Sequence, residues 1–173
     1  MSAKAVLLFF AAAAVSGCAG MLPYSGMESR EIKALSQKET DEYLSGAGMS
    51  FALAAELNGY PGPKHVLEFG DDLALSDAQR ETAARLFSEM AGEARALGEQ
   101  IVGKETELDS LFAEKRADES SLHETVAGIS RLKGELRVVH LKYHLRTVPL
   151  LNDAQIARYE ELRGYGGGHN HAH

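Results

Sequence analysis

Apolar positions recur at alternating steps of three and four through two stretches of the chain. Leu86/Phe87, Met90, Ala94, Leu97, Ile101, Leu108 and Leu111 form the first stripe, interrupted where Lys104 takes a seam position. Leu122, Val126, Ile129, Leu132, Leu136, Val139, Tyr143, Thr147 and Leu150 form the second. This period puts one narrow apolar ribbon on each of two long helices. The polar run Arg116-Ala117-Asp118-Glu119-Ser120 between them is short, so the helices should fold back as an antiparallel hairpin. No strand-like alternation of useful length occurs. The expected class is all-α: a long antiparallel helical hairpin with short flanking helices.

Four capping-box patterns mark helix starts: Ser36…Glu39, Ser76…Gln79, Ser121…Glu124 and Asn152…Gln155. In each, the first side chain can accept from a backbone N–H while the second reaches back. They predict a first helix running toward Leu57, weakened by Gly46 and Gly48, and a long helix from Ser76 to about Arg116. They also predict a return helix from Ser121 and a short helix from Asn152 to Gly164, with Leu151 and Ile156 as a hydrophobic staple. Asn58-Gly59-Tyr60-Pro61-Gly62-Pro63 is a break, a short helix is expected over His65 to Leu73, and Pro149 ends or kinks the return helix. Gly92, Gly98, Gly103, Gly128 and Gly134 fall inside the long helices and off the stripes. Each costs about 1 kcal/mol relative to alanine. Such cost predicts curved helices or close approach of a second subunit, against the alternative of compositional drift.

The N-terminus changes how much of the chain belongs to this fold. Lys4 precedes the apolar run Ala5 to Val15, long enough for a signal-peptide core but short of the roughly 20 residues of a membrane span. The run ends in Val15-Ser16-Gly17-Cys18, a lipobox-like sequence that makes Cys18 the expected lipidation site. The expected organisation is a lipoprotein signal peptide at 1–17, a lipidated N-terminus and tether at 18–38, a helical domain at 39–165 and a flexible His-rich tail at 166–173. Cys18 is the single cysteine of the chain, so an internal disulfide and a thiolate cage are excluded. Ala19 after the cysteine, by resemblance to bacterial lipoproteins, points to the outer membrane and the periplasmic face of the envelope.

Composition adds exclusions. The 173 residues carry a formal charge of −7, an acidic balance that argues against nucleic acid as a partner and leaves metal cations open. The sequence contains no Gly-rich phosphate loop, His-Glu-x-x-His motif or cysteine nucleophile, so an enzyme is not expected.

The candidate chemistry is imidazole. His140 and His144 are four residues apart and stand on one helix face, where two rings can share a zinc, nickel or copper ion. The competing reading is a pair of hydrogen-bonded histidines flanking the core. His65, with Glu68, Asp71 and Asp72, is a candidate completing ligand. The tail Gly166-Gly167-Gly168-His169-Asn170-His171-Ala172-His173 has histidine at every second position, a tract suited to weak metal capture. His123 falls in a first helical turn and is expected on the surface.

Two units, Leu75-Ser76-Asp77-Ala78-Gln79 and Leu151-Asn152-Asp153-Ala154-Gln155, open helices at opposite ends of the hairpin. Their shared Leu-(Ser/Asn)-x-x-Gln pattern resembles the LTXXQ-motif family of periplasmic stress proteins (the Spy, CpxP and ZraP type), related to heavy-metal sensors of the CnrX type. The resemblance covers roughly Glu42 to Tyr165 and rests on Leu75, Ser76, Gln79, Leu151, Asn152 and Gln155. It implies a bent four-helix cradle, usually a homodimer, lining either a divalent metal site or a client-binding surface. On that basis, the expected function is a lipid-anchored protein binding a divalent transition metal for sensing, buffering or resistance in envelope stress. The alternative is an ATP-independent holdase chaperone. The implied partners are the membrane, a second copy, and unfolded clients or an envelope-stress signalling protein. Serine and asparagine replace the family's usual threonine, and Gln79 stands where the sensor has a glutamate ligand.

Overall fold

A computed structural model describes residues 24–165; the predicted signal peptide, Cys18 and the tail histidines His169, His171 and His173 lie outside the described residues. The elements are α1 (Gln37–Ser45), α2 (Leu53–Glu56), α3 (Pro63–Glu68), α4 (Asp77–Ala113), α5 (Glu119–Thr147) and α6 (Asp153–Leu162). Short 3₁₀ turns occupy Met27–Ser29 and Val148–Leu150. Among the described residues no strand occurs, and the class is all-α.

Side-chain caps set the starts of α1, α4, α5 and α6. Ser36, Ser76 and Asn152 each accept from the N–H three residues on, and Glu39, Gln79 and Gln155 reach back, completing the expected boxes. The return helix departs from expectation. Asp118, not Ser121, is its cap, accepting from the Ser121 N–H at 2.8 Å while the Ser121 hydroxyl accepts from the Asp118 N–H at 3.0 Å. A carboxylate satisfies a helix N-terminus at least as well as a hydroxyl, so the start moves toward the turn.

The helix expected to run through Leu57 is split. Gly46 closes α1 at φ +71°, and its backbone lies so near α4 that a Cβ would stand 3.0 Å from the Ala91 carbonyl. The chain then passes through Met49 and Ser50, both at positive φ, before α2. Pro63 opens α3 in the first turn, where its missing N–H costs nothing.

α4 and α5 form the expected hairpin, and α1 lies across it. Their shared core joins Ile32, Leu35 and Tyr43 to Leu86, Met90, Ala94 and Ile101 of α4 and to Leu132, Leu136, Val139 and Tyr143 of α5. Ile32 and Leu35, expected in a tether, are therefore part of the fold. The stripe fails toward the hairpin tip, where Leu122 and Val126 are exposed and Thr125 is buried. The N-terminal segment packs on the hairpin through Ile32 and Leu35, and the Lys33 N–H donates to Asp109 at 3.1 Å. Beyond that point two helices alone have no third surface to bury against. At the Lys104 interruption the buried side chain is instead Glu105, paired with Lys133 at 2.7 Å.

Gly98 was expected off the stripe but is buried, and a Cβ there would collide with the Tyr43 carbonyl of α1. Gly92, Gly103 and Gly134 meet nothing within 4 Å, and Gly128 meets only the Lys104 side chain.

The two repeated units touch each other. The Gln79 amide donates to the Leu150 carbonyl at 2.7 Å and to Gln155 Oε1 at 3.0 Å. The Gln155 amide donates to the Leu73 carbonyl at 3.1 Å and approaches Gln79 Oε1 at 3.3 Å. Each glutamine thus caps its own helix with its oxygen and clasps the other unit with its nitrogen. Val66, Leu73, Leu75, Ala83, Leu151 and Tyr159 form a second core beneath this clasp, with Ile156 packed against it.

Gln79→Glu keeps the capping acceptor and removes the cross-clasp donor. We expect a loss of about 1–3 kcal/mol in urea unfolding, the cost of unsatisfied buried acceptors; an unchanged midpoint would show that capping alone matters. Gly98→Ala should cost at least as much by forcing α1 off α4, on the order of 1–3 kcal/mol for overpacking.

Candidate functional site

Helical spacing stacks His140 and His144 on the inner face of α5, and the connection from α1 to α3 roofs them. Both are buried, at 2% and 7% exposure. His144 Nδ1 donates to the Tyr60 carbonyl at 2.6 Å. Its Nε2 then faces Gly62, where a Cβ would stand only 2.7 Å away. The Ala47 backbone lies beside His140, whose Nε2 is buried with no hydrogen-bond partner. Phe51 stacks over the His140 ring, with centroids 6.1 Å apart and planes within 11°. The Tyr60 carbonyl therefore holds His144 in the tautomer that keeps its Nε2 lone pair.

Both rings line a cavity of about 520 Å³. Its rim carries Met49 and Ser50, the residues held at positive φ, and its walls include Gly62, His65, Met90 and Glu56. The Pro61-Gly62-Pro63 stretch, expected as a break, is buried. Glycine at 62 leaves room at Nε2, and the flanking prolines fix the backbone that passes it.

Glu56 was not foreseen. It is 6% exposed and uses its two oxygens unequally. Oε1 accepts from the Tyr159 hydroxyl, from Arg163 Nε at 3.0 Å and from the Tyr165 hydroxyl at 3.2 Å. Oε2 is buried without a hydrogen bond, 3.8 Å from His144 Nδ1. Burial and the bond to Glu56 push the Tyr159 hydroxyl well above the ordinary tyrosine range. The only sequence signal was an acidic residue closing the apolar run Leu53-Ala54-Ala55.

The other expected residues divide plainly. His65 lines the same cavity, but its Nδ1 lies 2.7 Å from Glu68, whose carboxyl the contact holds below its usual value. Asp71 pairs with Arg80, and Asp72 is exposed. Gln79 is spent in the clasp. His123 is exposed, as expected.

Two buried imidazoles one helical turn apart on one cavity suit a divalent transition metal as a pair of donors. Among the described residues, no three His, Cys, Asp or Glu side chains are gathered closely enough to hold an ion alone. Among the described residues, too, no helix is long and apolar enough to cross a membrane. The chain matches no protein-family model, no characterised protein and no solved structure.

Burial, reinforced by neighbouring His144, holds His140 below the ordinary histidine pKa. Folding therefore favours its neutral form, and the unfolded chain binds the extra proton first. This contribution is complete above the unfolded value of about 6.5 and is lost as pH falls through the lower folded value. In metal-free protein, unfolding midpoints should drop between pH 7 and 5, and His140→Gln should flatten part of that drop. An identical slope in the variant would count against His140 as the responsible group.

Proposed function

We propose that this chain is a lipid-anchored envelope protein that captures a divalent transition metal at His140 and His144. The supporting observation is the paired rings: one turn apart, both lining one cavity, with the His144 ring oriented by the Tyr60 carbonyl and no hydrogen bond on His140 Nε2. Histidine ligands are ordinarily oriented through their second nitrogen in this way. In this reading the metal is zinc, nickel or copper, and the ion serves sensing, buffering or resistance. Cys18 carries the lipid at the periplasmic face of the outer membrane. The resemblance of the two Leu-x-x-x-Gln units to the LTXXQ family supports the same assignment, and the clasp gives both glutamines a shared structural purpose.

His140 and His144 would hold the ion, which would act there as a Lewis acid. The chain's own contribution is to disfavour the charged form of His140 through burial, to fix the His144 tautomer through Tyr60, and to keep the approach to His144 clear at Gly62.

The test is a competition titration of the soluble chain lacking its lipid with zinc, nickel and copper. His140→Ala/His144→Ala should lower affinity by more than the roughly 10–100-fold that loss of an outer-shell partner costs. Gly62→Ala should weaken binding by crowding Nε2. Affinity should also fall as pH is lowered, because protons compete with the ion for the imidazole nitrogens. Native affinity in the double variant would sink the assignment.

A second reading, an ATP-independent holdase, draws on the apolar side chains left exposed at the hairpin: Phe112, Leu122 and Val126 near the tip, Val138 and Leu145 along α5. Suppression of client aggregation without ATP would support it, and loss of that suppression in Phe112→Ser/Leu122→Ser would locate it. No suppression at excess protein would remove it.

A further inference from the structure

Two imidazoles leave an ion's coordination unfinished, since a transition metal in a protein ordinarily takes further donors. Among the described residues, no third His, Cys, Asp or Glu is gathered with them. The cavity does hold two donors of another kind. Met49 stands in its rim and Met90 in its wall, so two thioether sulfurs share the space that His140 and His144 line.

These four side chains come from three elements. Both histidines belong to α5, Met90 to the facing helix α4, and Met49 to the connection between α1 and α2. Met90 is buried and Met49 half-buried, both packed in the core that α1, α4 and α5 share. Donors so distributed can surround an ion instead of meeting it from one face. Methionine has three rotatable side-chain bonds and a polarisable sulfur, so it reaches a ligand without moving its backbone. Met90 alone would be ordinary core filling. Met49 is not, because its backbone is held at φ +42°, with Ser50 at +65° after it. Strained backbone of that kind concentrates at ligand clamps.

Charge and softness choose the ion. All four donors are neutral, and the Glu56 carboxylate beside them is already balanced by Arg163 at 3.0 Å. Glu56 Oε2 lies 3.8 Å from His144 Nδ1, the nitrogen bonded to Tyr60, while the Nε2 edge faces Gly62. The carboxylate is thus placed as an outer partner of the ring. The cost of burying an ion grows as the square of its charge, so a divalent ion costs about four times a monovalent one. Soft thioether donors favour cuprous copper, and imidazole suits copper as well as zinc or nickel.

Resting on the assignment of His140 and His144 as a metal pair, we infer that Met49 and Met90 complete the site and make it selective for copper, with the cuprous form held most tightly. Donor softness and low charge then separate copper from zinc and nickel. Uptake is binding alone: the ion enters in the oxidation state it already has.

The experiment uses the full mature chain with Cys18→Ser, which removes both the lipid and the single thiol that would compete for copper. This chain is compared with Met49→Leu/Met90→Leu, a nearly volume-conserving change, and with His140→Ala/His144→Ala, helicity being checked in each. Cuprous affinity is read against a chromophoric chelator without oxygen, zinc and nickel are titrated in parallel, and X-ray absorption reports sulfur around the bound copper. We expect one cuprous ion per chain, sulfur scattering at the metal, and no displacement by equimolar zinc or nickel. Met49→Leu/Met90→Leu should remove that scattering and lower cuprous affinity by at least about tenfold more than zinc affinity, the smaller end of what losing even an outer-shell partner costs. Cuprous affinity unchanged in the methionine variant, an equal loss for zinc, or displacement of copper by zinc or nickel would overturn the inference while leaving the histidine pair standing. Native affinity for all three metals in His140→Ala/His144→Ala would overturn the pair itself, and this inference with it.

Discussion

The reciprocal bond between Gln79 and Gln155 fixes the geometry on which everything else rests. It ties the start of α4 to the start of α6, which lie 76 residues apart in sequence. Helix capping alone would order each N-terminus separately. Because each amide nitrogen also reaches the backbone before the other unit, the two helix starts are held at one height. The cluster of Val66, Leu73, Leu75, Ala83, Leu151 and Tyr159 can then close beneath them. Tyr159 in turn delivers its hydroxyl to Glu56, so the clasp is connected to the cavity by a continuous path of buried contacts.

That path explains why a small helical protein tolerates so much unpaired polarity in one place. Two buried histidines and a buried glutamate would ordinarily be spread apart or fully hydrogen-bonded. Here the cost is limited by neutrality and by partial satisfaction. His140 is kept uncharged by burial, His144 has a carbonyl partner, and Glu56 loads three donors onto one oxygen. What remains unsatisfied is confined to His140 Nε2 and Glu56 Oε2 among the described residues, and both belong to residues of the cavity wall. Such concentration of unspent capacity is characteristic of a binding site, because a well-packed core removes it.

Much of the fold was legible in the sequence because its signals are local. The stripes gave the hairpin, and the Ser-x-x-Glu, Ser-x-x-Gln and Asn-x-x-Gln boxes gave helix starts within a residue. Where two caps competed at the turn, Asp118 prevailed over Ser121, since a charge at a helix start outweighs a pattern match. The histidine pair was visible from its spacing. Glu56 was not, since its burial depends on Tyr159 and Arg163, more than 100 residues away. The role of Gly62 was equally hidden: a Pro-Gly-Pro stretch announces a break in helix, not the ring it will face. The stripe at Leu122 and Val126 misled because periodicity reports which face is apolar, not how far a third element extends to cover it.

Gly98 carries one more implication. α1 crosses α4 where the Tyr43 carbonyl occupies the space of an absent methyl group, and Gly46 presses on Ala91 beyond it. Ala94 and Ile101 flank that notch with side chains, so sliding α1 along α4 in either direction would replace a hydrogen atom by carbon. The notch therefore works as a ruler. It sets the height at which α1 ends, hence where Ala47, just past the Gly46 cap, brings its backbone beside His140. The orientation of an imidazole in the cavity is thus graduated by the smallest side chain on a neighbouring helix, outside the cavity wall.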